Sequence, residues 1–169
     1  MIEAASATSL LTGRPVAQIG LLVCDFERAL ERYTALWGID AWDCYTYGPD
    51  VVRELTYRGR PGTYSMRIAL SRSTPQLELI YPLIGPSIYE EWLETRGPGL
   101  HHLGLLVEQL RPEIERMTGA GYELLQSGYG YGLDGDGGYA YFDTVDELDT
   151  IVELIERPRR RRDPELVWP

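Results

Sequence analysis

The chain has 169 residues, a length that fits one compact domain or two small modules sharing a core, with enough material to enclose a pocket. Apolar residues make up 44% and charged residues 25%, which excludes a wholly disordered or fibrous chain, and no apolar run approaches the roughly 20 residues of a membrane span. The net charge is −10 and every basic residue is Arg, so nucleic acid and anionic membranes are not expected partners.

The N-terminal extension, residues 1–15, holds the acidic Glu3 and no basic flank before its short apolar stretch, so it does not read as a secretory signal, and a cytoplasmic location is the expectation. Val16 to Val23 is an apolar run of strand length. Asp25 is placed as the N-cap of a helix whose stripe is Phe26, Ala29, Leu30, Tyr33, Leu36 and Trp37, ended by Gly38. Strand-like segments follow at Trp42 to Tyr47, Val51 to Tyr57, Tyr64 to Ser71 and Gln76 to Tyr81, punctuated by Gly48-Pro49 and Pro61-Gly62. Pro86 to Arg96 reads as a connecting helix within the link 83–99. The plan then restarts with a strand at Leu100 to Val107, a helix at Arg111 to Thr118, and strands near Tyr122 to Gln126, Tyr139 to Asp143 and Thr150 to Glu156. The expected fold is α+β, with β-α-β-β-β modules at 16–82 and 100–156 and an Arg/Pro-rich tail at 157–169.

Two motifs recur in the same order in both halves. Gln18-Ile19-Gly20-Leu21-Leu22-Val23 returns as His102-Leu103-Gly104-Leu105-Leu106-Val107, and Leu77-Glu78-Leu79-Ile80 as Val152-Glu153-Leu154-Ile155. Side chains alternate faces along a strand. Ile19, Leu21 and Val23 then share one face and Gln18 the other; the same parity sets His102, Glu78 and Glu153 opposite the helix-packing face. An amide oxygen, an imidazole and two carboxylates suit one divalent Zn, Ni, Co, Mn or Fe ion and leave coordination positions for water or substrate. Such an ion can polarise a carbonyl while Glu153 or Glu78 moves a proton on the adjacent carbon. Taken singly, each of these residues is as easily a solvated rim residue.

His101, adjacent to His102, is expected to point the opposite way and to be structural, which disfavours a two-His iron site. Gly128 to Gly138 contains Asp134-Gly135-Asp136 but lacks a calcium-loop register, and reads as a hairpin or pocket lid. Trp42, Tyr45, Tyr64 and Tyr141 are expected to bind substrate in an aromatic cup, with Tyr47, Tyr57 and Tyr139 as further candidates. Cys24 and Cys44 read as inert. Arg157, Arg159, Arg160, Arg161 and Arg162 suit either an acidic or phosphate-bearing partner or a tail tucked against the protein's own acidic body.

With these residues in view, the chain resembles the vicinal oxygen chelate superfamily, which includes glyoxalase I, methylmalonyl-CoA epimerase, extradiol dioxygenases and metal-free antibiotic-binding proteins. The resemblance rests on Gln18-Ile-Gly, Asp25-Phe-Glu-Arg-Ala-Leu, Leu77-Glu78-Leu-Ile, Gly99-Leu-His-His102-Leu-Gly and Tyr141-Phe-Asp-Thr with Val152-Glu153-Leu-Ile. The Leu-His-His stretch looks epimerase-like and Gln18 glyoxalase-like. The resemblance implies paired modules forming a cupped, half-barrel mixed sheet, a homodimer, and a metal at Gln18, Glu78, His102 and Glu153. The implied activity is a metal-dependent isomerase, epimerase or lyase acting beside a carbonyl of a small-molecule substrate. The rival is a metal-free binding protein for an aromatic or polyketide-like molecule. Ring-cleaving oxygenation is disfavoured by Gln18.

Overall fold

Residues 10–169 are described by the structure, a computed structural model. The extension at 1–15 therefore falls largely outside the described residues. In chain order the elements are β1 (Val16–Leu22), α1 (Phe26–Trp37), β2 (Trp42–Tyr47), β3 (Glu54–Tyr57), β4 (Arg60–Pro61), β5 (Ser65–Ser71) and β6 (Gln76–Ile84). There follow α2 (Ile88–Arg96), β7 (Gly99–Val107), α3 (Leu110–Gly119), β8 (Leu124–Tyr129), β9 (Gly138–Phe142), α4 (Val145–Leu148), β10 (Ile151–Glu156) and β11 (Leu166–Trp168). Among the described residues no helix is long and apolar enough to cross a membrane.

All strands belong to one open mixed sheet, ordered β11-β2-β5-β6-β1-β7-β10-β9-β8-β3-β4, which is the half-barrel expected from the sequence. Its centre is the antiparallel pair β1–β7; β6 and β10 flank that pair in parallel, so each half repeats the other's plan. Two exchanges tie the halves together. β3 pairs with β8 of the other half, and β11, from the C-terminal tail, pairs with β2. Both cover strand edges that would otherwise leave backbone groups unpaired.

Helix starts follow the side-chain caps: Asp25 accepts from the Arg28 N–H, and Ser87 and Glu90 form a reciprocal capping box at α2. Gly38 ends α1 in the left-handed region at φ 67°, where a Cβ would be costly. The apolar stripe assigned to α1 is shorter than expected. Phe26 and Leu30 are buried, but Leu36 and Trp37 of the last turn are 83% and 60% exposed, because no element covers that turn.

The alternation read from the sequence divides the core. Ile19, Leu21, Val23, Leu77 and Leu79 pack with α1 on the convex face, and Leu105, Val107, Val152 and Leu154 pack with α3. The concave face holds a different cluster, rich in tyrosine, with Leu22, Ile80 and Ile151 at its floor and Ile88, Tyr89 and Trp92 of α2 packed into it.

Candidate metal centre

Gln18 and Glu78 stand on neighbouring parallel strands β1 and β6, and His102 and Glu153 on β7 and β10, all with their side chains in the cup. Each is nearly inaccessible to solvent, from 0% for His102 to 8% for Gln18. His102 Nε2 lies 3.0 Å from Glu153 Oε2, 3.3 Å from Glu78 Oε2 and 3.4 Å from Gln18 Oε1. One donor atom from each of Glu78, His102 and Glu153 falls within 4.8 Å of the others.

The glycines of the recurring motif make this convergence possible. Gly20 faces His102 across the β1–β7 ladder, and Gly104 faces Gln18. A Cβ on Gly20 would lie 1.9 Å from His102 Cε1, and one on Gly104 would lie 2.9 Å from Gln18 Cβ and 3.2 Å from Glu153 Oε2. Each half therefore supplies a first-strand donor and the gap in which its partner's donor sits.

Two further contacts aim the donors. Gln18 Nε2 donates to Gln76 Oε1 at 3.0 Å, and Gln76 Nε2 in turn donates to the Ser71 carbonyl at 3.1 Å. With its amide nitrogen so engaged, Gln18 turns its carbonyl oxygen into the site. His102 Nδ1 lies 2.9 Å from His101 Nδ1. With an ion bound, a proton on His102 Nδ1, shared with His101, would leave the Nε2 lone pair free to face the ion.

The position of His101 corrects the expectation from parity. Gly20 pairs with His102 but Leu21 pairs with Leu100, so His101 is the extra residue of a β-bulge. A bulge puts two successive side chains on one side. His101 consequently enters the cup beside His102, fully buried, with its ring 5.2 Å from that of Trp92 and 5.4 Å from that of Tyr89.

The donor set fits a divalent ion. Two cis ligands each about 2.1 Å from an ion stand about 3.0 Å apart, close to the spacings around His102 Nε2. Glu78 Oε2 and Glu153 Oε2 are buried with no hydrogen bond, and His102 Nε2 approaches them at 3.3 and 3.0 Å. Orphaned buried carboxylate oxygens converging on one point are costly unless a cation collects them. Without an ion the charges settle differently. Burial alone would lower the His102 imidazole, but the charges and contacts of Glu153 and Glu78 lift it to about 9. Burial raises the Glu78 carboxyl, aided by the nearby Glu153 charge and opposed by the His102 contact. Burial, with the His102 charge, holds His101 well below the ordinary imidazole range.

Beside these donors is a small pocket of about 40 Å³, lined in part by Tyr47, Tyr131, Tyr139, Tyr141, Ile155 and Arg161. It holds one or a few small groups and not a whole ring system. Of the four aromatic residues expected to bind substrate, Tyr141 lines this pocket and Tyr45 lines a neighbouring outer pocket of about 300 Å³. Tyr64 is fully buried beneath the cup, donating to the Ser127 carbonyl at 2.7 Å and bonded to the Tyr139 hydroxyl at 3.0 Å. Trp42 is on the wrong face. Its side chain packs on the α1 side and its Nε1 donates to Thr34 Oγ1 at 2.9 Å, because Trp42 and Cys44 alternate with Tyr45 and Tyr47 along β2.

Sequence reasoning passed over Tyr131 and Gln76, and it named Arg161 only as one of the tail cluster, not as lining this pocket. Tyr131 comes from the Gly-rich segment, which folds over the cup so that its ring is 5.3 Å from that of Tyr47. Asp134 and Asp136 in that segment pair with Arg160 and Arg159 of the tail, so both carboxylates are engaged by guanidinium groups. The tail is thus folded back on the protein's own acidic body, the second of the two readings open for it.

A cupped sheet built from two repeated halves, with an amide, an imidazole and two carboxylates at its floor, defines a scaffold of the vicinal oxygen chelate type whose buried donors could hold a metal. The model of the Glyoxalase/Bleomycin resistance protein/Dioxygenase superfamily matches residues 17–142, and the chain belongs to that superfamily. Methylmalonyl-CoA epimerase from Mycobacterium tuberculosis superposes with a TM-score of 0.62 at 24% identity, over 92% of this chain and 94% of that one. A variant of the Streptomyces coelicolor methylmalonyl-CoA epimerase in complex with 2-nitronate-propionyl-CoA gives 0.60 at 17% identity, over 83% and 95%. A 4-hydroxymandelate synthase variant from the same organism gives 0.62 at 19%, over 92% of this chain and 42% of that chain. At these identities the likeness is one of fold. No curated protein matches the sequence.

Proposed function

We propose that this protein is a metal-dependent isomerase or lyase, epimerase-like or glyoxalase-like, that moves a proton at a carbon next to a carbonyl of a small-molecule substrate. The observation that carries the reading is the meeting of two unpartnered buried carboxylates with His102 Nε2 and Gln18 Oε1 in one small pocket. Gln18, Glu78, His102 and Glu153 are the metal ligands in this reading. A divalent ion held by them supplies a Lewis acid for the substrate carbonyl, which acidifies the adjoining C–H.

The chain's own residues do the rest. Glu78 or Glu153 takes the proton from the α-carbon and returns it to the same or the neighbouring carbon. Burial raises the Glu78 carboxyl, which strengthens it as a proton acceptor. Tyr139 and Tyr141, whose hydroxyls burial holds protonated, wall the pocket against bulk water. The small volume beside the donors favours a compact reacting group over the bulky aromatic or polyketide-like ligand of the rival binding-protein reading. A methylmalonyl-CoA epimerase-type substrate is one member of the class, given the neighbours of similar fold.

Solvent deuterium exchange tests the reading. The metal-loaded protein, incubated in D₂O with a panel of 2-acyl thioesters and α-oxo compounds, is expected to wash deuterium into the α-position of at least one. The Glu78→Gln and Glu153→Gln variants should slow exchange by about a hundredfold or more. Absence of exchange across the panel counts against proton transfer.

A further inference from the structure

Among the described residues Arg161 is the one guanidinium that lines the metal pocket. It lines both that pocket and the outer 300 Å³ pocket, which share Leu70 as well, so it stands at the neck between them. Its guanidinium carbon is 5.7 Å from the ring centroids of both Tyr45 and Tyr131. Three of its neighbours in the tail are engaged, Arg159 with Asp136, Arg160 with Asp134, and Arg162 with the Tyr131 carbonyl, while Arg157 lines the outer pocket with it but not the metal pocket. Among the described residues Arg161 has no carboxylate partner.

The chain on either side of Arg161 is fixed. The Leu133 N–H donates to the Arg160 carbonyl at 3.0 Å, and the Glu165 N–H donates to the Cys44 carbonyl at 2.9 Å. Thr46 donates to the Glu165 carboxylate through both its N–H, at 2.9 Å, and its hydroxyl, at 3.0 Å, and β11 then pairs with β2. The strap therefore fixes the backbone from which the guanidinium reaches the pocket, which lowers the ordering cost of binding. Its planar fork, set between tyrosine rings, is matched to a carboxylate.

We infer that Arg161 is a specificity-determining residue: it binds a carboxylate, or a similar monoanionic group, on a substrate whose carbonyl lies at the metal site. The inference rests on the proposed metal-dependent reading and names the substrate class within it. Neutral carbonyl compounds of the same size are then poor ligands, and the C-terminal strap is part of the binding site.

Two chelating probes separate the two claims. Acetohydroxamate binds a metal through its hydroxamate alone; malonic monohydroxamate adds one carboxylate. Calorimetry on the Co(II)-loaded protein should show the charged probe binding at least about tenfold more tightly, the effect expected of a charge-assisted contact. Arg161→Gln should erase that advantage, weakening malonic monohydroxamate at least about tenfold more than acetohydroxamate, while Arg161→Lys keeps a cation and retains most of the preference. If acetohydroxamate binds but the preference is missing, survives Arg161→Gln, or falls equally in Arg161→Lys and Arg161→Gln, the role of Arg161 is overturned and the metal reading stands. If Co(II) is not retained, the metal reading falls and the inference falls with it.

Discussion

Each half of the cup offers the same two positions, and the halves fill the first of them with different chemistry. The first half places a neutral amide, Gln18, beside Glu78; the second places an imidazole, His102, beside Glu153. Backbone geometry is shared, down to Gly20 opposite His102 and Gly104 opposite Gln18. Outer support is not. Gln18 is aimed by a chain of amides through Gln76 to the Ser71 carbonyl, whereas His102 is aimed by His101, available only because β7 bulges. The scaffold thus repeats, while the donor and what steers it are local to each half and can be altered separately.

The largest expected effect breaks the symmetry of the glycines. Gly20→Ala puts a Cβ into the His102 ring, so it should lower divalent-metal affinity by about a hundredfold or more. Gly104→Ala meets looser neighbours and should cost nearer tenfold. Equal losses, or none, by calorimetry would contradict this difference between the two crossings.

A smaller effect separates the donors by their protons. His102, lifted to about 9 by its carboxylate neighbours against burial, carries a proton in the metal-free protein that an ion must displace. Gln18 carries none. Metal affinity should therefore rise with pH, by about tenfold between pH 7 and 8, with proton release visible in buffers of different ionisation enthalpy. A flat profile would mean that His102 is not a ligand. The smallest effect tests the outer support of the first half: Gln76→Ala frees the Gln18 amide to turn and should weaken metal binding by about tenfold, with thermal stability little changed.

Much of this was legible in the sequence because the informative residues lie on strands, where a period of two sorts side chains between faces. Ile19, Leu21 and Val23 against Gln18, and Leu77 and Leu79 against Glu78, follow that period. The same period failed where partners intervene. His101 turns into the cup because of a register shift against β1, which no property of β7 alone discloses. Trp42 misled because β2 is apolar on both faces, so composition does not say which face is concave. Arg161 and Tyr131 sit in irregular chain, where position depends on the Asp134 and Asp136 pairs that fasten the tail to the Gly-rich segment. The exchange of β3 onto β8 was hidden for the same reason, since it is a contact between distant segments.

The central claim is that one divalent ion is collected by donors from both halves. Anomalous scattering from crystals grown with Co(II) in the absence of chelator tests it most directly. The account predicts a single strong peak per chain, about 2.0–2.3 Å from Gln18 Oε1, Glu78, His102 Nε2 and Glu153. A cup without a peak, or a peak bound by other residues, would contradict it.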